Sequence, residues 1–140
     1  IEEATGIIRT RAWLDREKVA HYHLVLRATD SSITEPKSTT TKLHITVIDE
    51  NDNAPSFSQD NYIIYITDPT NPGDFVFGME ALDPDESING RVTYYQSGRD
   101  ADKFYINQET GVIKASQALT GDKVYELELR AKDLGIEAKW

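Results

Sequence analysis

The chain has 140 residues, of which 39% are hydrophobic, so it is long enough to bury the core of one domain or parts of two. Its formal charge of −9 argues against a nucleic-acid surface, which needs clustered Lys and Arg against the phosphates, and favours a cation as ligand. It has no cysteine, which excludes disulfides and Cys-ligated zinc.

Period-two alternation of apolar and polar residues predicts strands along the whole chain. In the first half it runs through 22–28 and 43–47, with His21, His23 and His44 at the outward positions, where a solvated surface role is favoured over a metal role. Further strands are predicted at 62–67, 75–79, 92–95, 104–107, 112–115 and 125–131. Turn sequences such as Asn71-Pro72-Gly73 and Asn89-Gly90 separate them, and no long helix is expected. The predicted class is all-β, with antiparallel sandwiches in tandem.

An internal repeat defines the organisation. Thr110-Gly111 repeats Thr5-Gly6 at an offset of 105, and later matches follow at an offset of 103. This period suits an immunoglobulin-like sandwich of about 100 residues. The sequence therefore predicts the back half of one repeat over 1–53 and a second repeat, lacking its last strand, over 54–140.

The linker between these repeats, 49–55, places five oxygen-bearing side chains in a row before Ala54-Pro55. Calcium takes about 6–8 oxygen ligands from carboxylates, amides and backbone carbonyls, all of which this stretch offers. An acidic pair also occurs in each repeat, Asp15/Glu17 and Asp83/Asp85. An EF-hand is excluded, because counting from Asp49 puts Ala54 at the glycine position and Asp60 at the bidentate glutamate position.

These motifs together resemble a pair of extracellular cadherin repeats. The resemblance is carried by 14–17, 28–30, 49–55, 82–85, Asn89-Gly90 and 131–133, which follow the family's order over nearly the whole chain. It implies Greek-key sandwiches with about three calcium ions in each complete linker.

Carried over by position, the resemblance implies a ligand set for the linker at 49–53. Asp15, Glu17 and Asp52 would hold calcium on the side of the first repeat, and Asp85 and the backbone carbonyl of Glu50 would complete the middle site. The ion at the top of the second repeat would be held by Asn51, Asp83, Asp85 and Asp133, with the backbone carbonyls of Asn53 and Asn89. The carboxylates of Asp15, Glu17, Asp52, Asp83, Asp85 and Asp133 sum to −6, which three divalent ions would balance.

Asp30, Asp68 and Asp122 are expected to serve the neighbouring linkers. Asp68 stands where the family has a bridging glutamate, and Thr120-Gly121-Asp122 stands where the first repeat has Asp15-Arg16-Glu17. With one carboxylate lost and another shortened, the downstream linker is expected to bind fewer ions or to bind them more weakly.

The function implied by the resemblance is a calcium-rigidified adhesive module in the extracellular part of a single-pass plasma-membrane protein. Its partners would be adjacent repeats and other cadherin ectodomains, through homophilic or heterophilic contacts, with no nucleic acid. No bilayer-spanning run or signal peptide is evident, so a membrane anchor is expected outside this chain. The alternative is a calcium-dependent carbohydrate-binding accessory module of a secreted enzyme, although no catalytic motif is present.

Overall fold

A computed structural model describes all residues, 1–140. The chain forms two compact units, Ile1–Asp49 and Glu50–Trp140. Every regular element is a β-strand except one 3₁₀ turn, Ala101–Lys103, and all strand pairs are antiparallel. The predicted all-β antiparallel class is thus confirmed. No helix in the chain combines the length and the hydropathy needed to cross a bilayer.

The first unit is built on a two-stranded ladder of β1 (His21–Thr29) and β2 (Ser38–Thr46). Tyr22 and Leu24 lie opposite Ile45 and Leu43, and these apolar side chains are half-buried on one face. The intervening residues, including the three histidines, are exposed on the other face. The alternation read from the sequence therefore predicts correctly which side chains turn inward.

The second unit contains seven short strands, β3 (Ser56–Phe57), β4 (Phe75–Gly78), β5 (Ala81–Leu82), β6 (Thr93–Ser97), β7 (Phe104–Ile106), β8 (Val112–Ala115) and β9 (Glu128–Lys132). They pair as β3 with β5, β6 with β9, and β4–β8–β7. The core between these sheets consists of apolar residues that are at most 7% exposed: Met79, Ala81, Tyr94, Phe104, Ile106, Ile113, Ala115, Leu119 and Ala131.

The repeat in the sequence is also a repeat in structure. The amide of Glu2 donates to the carbonyl of Ile7 at 2.9 Å, and the amide of Gly6 donates to Glu2 at 2.8 Å. At an offset of 105, the amide of Asn107 donates to Val112 at 2.8 Å, and that of Gly111 to Asn107 at 2.9 Å. Both glycines have a positive φ, +70° and +68°, which explains why the turn keeps glycine.

The strand predicted at 62–67 is wrong as a paired strand, because the segment has no partner in any sheet. Its side chains still follow the predicted alternation, since Ile66 packs on the core while Ile63 and Tyr65 are 80% and 93% exposed. Alternation reports which face is buried, whereas a strand also requires a neighbouring backbone to accept its hydrogen bonds.

Candidate metal centre

Three segments of the second unit meet at one end of its sheets. Ser56 of β3 pairs with Leu82 of β5, so residues just before 56 and just after 82 lie at the same end. Thr93 of β6 pairs with Lys132 of β9, which brings the residues after 132 beside the loop that precedes β6. The antiparallel pairing thus gathers Asn51, Asp52, Asn53, Asp83, Asp85, Asn89 and Asp133.

Asp133 is the centre of this cluster and is fully buried, at 0% exposed. Its Oδ1 accepts hydrogen bonds from the amide of Gly135 at 2.8 Å and from Nδ2 of Asn51 at 3.1 Å, and its Oδ2 accepts one from the amide of Lys139 at 2.7 Å. The hydrogen bond to Asp133 fixes the side chain of Asn51, yet the buried Oδ1 of Asn51 accepts no hydrogen bond. A buried carbonyl oxygen without a donor is costly unless a cation or another donor reaches it.

Asp85 is the second buried carboxylate of the cluster, at 7% exposed. Its Oδ2 accepts the backbone amide of Asn53 at 3.2 Å, and its Oδ1 accepts Nδ2 of Asn53 at 2.7 Å. The same Nδ2 donates to Oδ1 of Asp52 at 2.7 Å, and carboxylate oxygens of Asp52 and Asp85 lie within 4.8 Å of each other. Oδ1 of Asp83 accepts a hydrogen bond from the backbone amide of Asp85 at 3.0 Å.

Two glycines allow these loops to approach closely. A Cβ at Gly90 would lie 2.0 Å from the carbonyl oxygen of Asp85, and a Cβ at Gly135 would lie 2.3 Å from Nδ2 of Asn51 and 2.9 Å from Oδ1 of Asn89. Any larger residue would push the oxygen-bearing groups apart. Gly135 was missed by the sequence analysis, because nothing in its neighbours distinguishes it from an ordinary turn glycine.

The charge of the cluster is not compensated by basic side chains at its two buried carboxylates. The partners of Asp85 and Asp133 are backbone and side-chain amides, and neither carboxylate forms a salt bridge. Amides satisfy the hydrogen-bonding capacity of these oxygens but leave their charges in place. Carboxylate, amide and carbonyl oxygens are the donor set that calcium prefers, so the residues present fit this ion.

In the first unit, the predicted ligands Asp15 and Glu17 lie in the loop before β1, beside basic residues. Lys18 contacts Asp15 with Nζ 2.7 Å from Oδ2, and this hydrogen bond lowers the pKa of Asp15 below its usual value. Nη2 of Arg16 lies 2.5 Å from Oε1 of Glu17, and its Nε lies 2.5 Å from Oδ1 of Asp49. Arg16 therefore neutralises the charge of Asp49, the first acidic residue of the linker. This pairing of Asp49 was not predicted from the sequence.

Asp30 occupies the place in the first unit that Asp133 has in the second. Its Oδ1 accepts the amides of Ser32 and Lys37, both at 3.1 Å, and its own amide donates to the carbonyl of Lys37 at 2.9 Å. The carboxylate of Asp133 likewise accepts the amides of Gly135 and Lys139, and its own amide donates to the carbonyl of Lys139. The carboxylate at the end of each β1 or β9 strand therefore organises the turn that follows.

The opposite end of the second unit holds the residues assigned to the next linker. Asp68, Thr120 and Asp122 are all exposed. A Cβ at Gly121 would lie 3.0 Å from Cβ of Asp68, so these residues are neighbours. The hydroxyl of Thr120 holds the pKa of Asp122 below its usual value.

Glu50 belongs to the linker at 49–53 and is predicted to act through its backbone carbonyl. That carbonyl oxygen accepts a hydrogen bond from the amide of Asp52 at 2.8 Å.

Comparison with known proteins identifies the class. The cadherin domain profile matches residues 1–48 and 62–139. Human protocadherin Fat 4 is 39% identical over 135 residues, which cover 96% of this chain and 3% of that protein. Mouse cadherin EGF LAG seven-pass G-type receptor 3 is 37% identical over 139 residues, which cover 96% of this chain and 4% of that protein. This chain thus spans a small part of either relative.

The structure agrees with this result. A solved structure of protocadherin gammaB7 EC3-6, described as a cis-dimer, matches with a TM-score of 0.84 and 32% identity over 93% of this chain and 32% of that one. The chain belongs to the cadherin family, and the predicted tandem immunoglobulin-like sandwich class is confirmed. Cadherin domains are extracellular modules of cell-adhesion proteins, which confirms the predicted adhesive class at that level.

Proposed function

We propose that this chain is a calcium-dependent adhesive and structural segment, in which calcium holds the end of one repeat to the start of the next. The observation that carries the proposal is the pair of buried carboxylates, Asp85 and Asp133, whose charges no basic side chain compensates. The buried Oδ1 of Asn51, which accepts no hydrogen bond, supports it. Calcium supplies the missing positive charge and accepts protein oxygens at variable geometry.

The proposed ligands are those that the family resemblance implies. Asn51, Asp83, Asp85 and Asp133, with the carbonyls of Asn53 and Asn89, hold the ion that belongs to the second repeat. Asp15, Glu17, Asp52 and the carbonyl of Glu50 complete the set, and about three ions balance the six carboxylates. In this proposal the repeats are bounded at 1–53 and 54–140, so the linker includes the first residues of the unit Glu50–Trp140.

The parent protein is proposed to be anchored in the plasma membrane, with this segment in its extracellular part. One relative is named as a seven-pass receptor, which supports a membrane-anchored parent protein. One matching structure is described as a cis-dimer, which supports partners of the same class. We propose other cadherin ectodomains as partners, whether homophilic or heterophilic, together with the adjacent repeats.

The linker that follows is proposed to bind calcium more weakly. Asp68 and Asp122 are exposed and are the only carboxylates assigned there, whereas two of the carboxylates around Asn51 are buried. Affinity in calcium sites follows the number of charged ligands and their rigidity. A chain extended through the next repeat should fill the linker at 49–53 at lower calcium; simultaneous filling of both linkers would contradict this.

Thermal unfolding in calcium, magnesium and chelator tests the proposed function. Extracellular calcium modules have dissociation constants of about 10⁻⁴–10⁻³ M, so at ten times that concentration each ion stabilises the folded chain by about 1.4 kcal/mol. We expect the melting temperature to rise with millimolar calcium and to respond much less to magnesium, which prefers a small octahedral shell. Identical melts in calcium and chelator would refute the proposal.

A further inference from the structure

The outward face of the β1–β2 ladder carries a histidine pair that the calcium proposal does not use. His23 lies directly opposite His44 in the register, and His21 lies opposite Thr46. All three histidines are exposed. The pair is therefore available to a ligand from solvent.

The ladder brings the two rings as close as an antiparallel sheet allows. At the two ends of the ladder, the carbonyl of Ala20 accepts a hydrogen bond from the amide of Val47, and the carbonyl of Lys37 accepts one from the amide of Asp30, both at 2.9 Å. Because hydrogen-bonded and non-hydrogen-bonded pairs alternate along an antiparallel ladder, the even-numbered positions of β1 are the hydrogen-bonded ones. His23 is odd-numbered and belongs to a non-hydrogen-bonded pair, in which Cα atoms are about 4.5 Å apart and side chains are nearest.

The ring geometry places two nitrogens against each other. Nδ1 of His23 lies 2.5 Å from Nδ1 of His44, and the ring centroids are 4.6 Å apart with an interplanar angle of 74°. Two bare lone pairs, or two N–H groups, repel each other at this distance, so either one ring donates its N–H to the other or both nitrogens face a cation. By contrast, Nδ1 of His21 lies 3.3 Å from Oγ1 of Thr46.

A transition-metal ion fits the same two atoms. Metal–imidazole bonds of about 2.0–2.1 Å, at angles between square-planar and tetrahedral, place two ligand nitrogens about 2.9–3.4 Å apart. The rings need to separate by less than about 1 Å, which exposed side chains achieve by small rotations. We propose that His23 and His44 form a surface site for a divalent transition metal, with copper(II) bound more tightly than zinc.

The neighbouring residues define what kind of site this is. Imidazole suits copper, nickel and zinc, whereas calcium takes oxygen ligands, so the two kinds of site select different ions. The same outward face carries Val25, Arg27, Lys42 and Thr46 but no carboxylate. Water therefore completes the coordination, and the nearby positive charges of Lys42 and Arg27 weaken the affinity.

The test is a copper(II) titration of the 140-residue chain in excess calcium, which keeps the oxygen-rich ligands occupied. His23→Gln, His44→Gln and the double variant are compared with His21→Gln, the matched control on the same face. Every variant keeps the same N-terminus and acidic residues, so differences report the histidines. Each single variant should bind about tenfold more weakly, the double variant little worse than either, and the control within about twofold of the parent.

Two spectroscopic measurements on the unaltered chain keep the proposal falsifiable if a variant fails to fold. Electron paramagnetic resonance should show two equatorial nitrogens on copper, and the ring signals of His23 and His44 should shift together in NMR on addition of zinc while those of His21 stay. Unchanged affinity in either single variant, a single coordinating nitrogen, or ring signals that shift independently would overturn the proposal.

Discussion

Two buried aspartates of the second unit are stabilised in opposite ways. Asp100 is 6% exposed and is neutralised within the protein, by Lys103 and by Arg99, whose Nε lies 3.2 Å from Oδ2. Asp133 is 0% exposed and is surrounded by amides, with no basic partner. The first carboxylate has basic partners within the protein, whereas the second has none, and in the proposed function its counterion is calcium from solution.

Under the proposed function, this difference separates a structural acid from a calcium-ligating one, which burial alone does not do. The hydrogen bond from Lys103 lowers the pKa of Asp100 far below its usual value, with further help from the amide of Glu126 at 2.9 Å. Both residues are satisfied as hydrogen-bond acceptors. They differ in their source of positive charge, and under the proposed function only the stability that Asp133 provides depends on calcium.

The largest effect is expected for Asp133→Ala, with Asp100→Ala as its matched control. Removing the Asp133 carboxylate leaves three N–H donors without their acceptor, which should cost about 3 kcal/mol of unfolding free energy even in chelator. The variant should also lose most of the stabilisation that calcium gives. Asp100→Ala should be destabilised too, yet retain the full calcium increment.

Denaturant unfolding with and without calcium measures both quantities. If Asp133→Ala kept the calcium increment of the parent chain, or if Asp100→Ala lost it, the distinction between the two aspartates would be wrong.

A smaller effect is expected for Asp52→Ala, compared with Asp60→Ala. Asp52 shares a hydrogen-bond donor with Asp85 and is proposed to bridge neighbouring ions, so its loss should weaken calcium binding roughly tenfold. Asp60 is exposed and lies beyond the linker, so its removal should leave the affinity unchanged. Calorimetric calcium titration compares them, and equal affinities would contradict the role given to Asp52.

The smallest effect is the pH dependence contributed by Asp100. Its folded pKa is depressed, so its contribution is complete above the unfolded value of about 3.9 and is lost as pH falls toward the folded pKa. In chelator, the stability gap between the parent chain and Asp100→Asn should narrow below about pH 4. The exposed Asp102→Asn serves as control, and a gap that stayed constant down to pH 2 would exclude this contribution.

The sequence predicted most of the strands, the repeat and the family, because these depend on local alternation and on spaced motifs. The 105-residue offset reappears as identical hydrogen bonds at Gly6 and Gly111, and 112–115 is a strand with the predicted bounds. The unpaired segment at 62–67 was not foreseen, because pairing depends on what lies beside a segment rather than on its own residues.

The candidate site was predictable as a set of residue types but not as an electrostatic arrangement. Asp49 and Asp52 look alike in the sequence, yet Asp49 pairs with Arg16 while Asp52 shares an amide with Asp85. Asp100 carried no motif at all, although it is among the most buried acids. Register across the β1–β2 ladder likewise brought His23 and His44 together, which outward positions alone do not specify.

The most direct test of the central claim is a crystal structure of the chain grown in calcium, with ions located by anomalous scattering. We predict about three calcium ions near residues 49–53, one of them coordinated by Oδ1 of Asn51 together with the carboxylates of Asp85 and Asp133, and none at Asp100. Ordered water, or a lysine amine, beside Asp133 with no anomalous peak there would contradict the claim that this end of the repeat takes its counterion from solution.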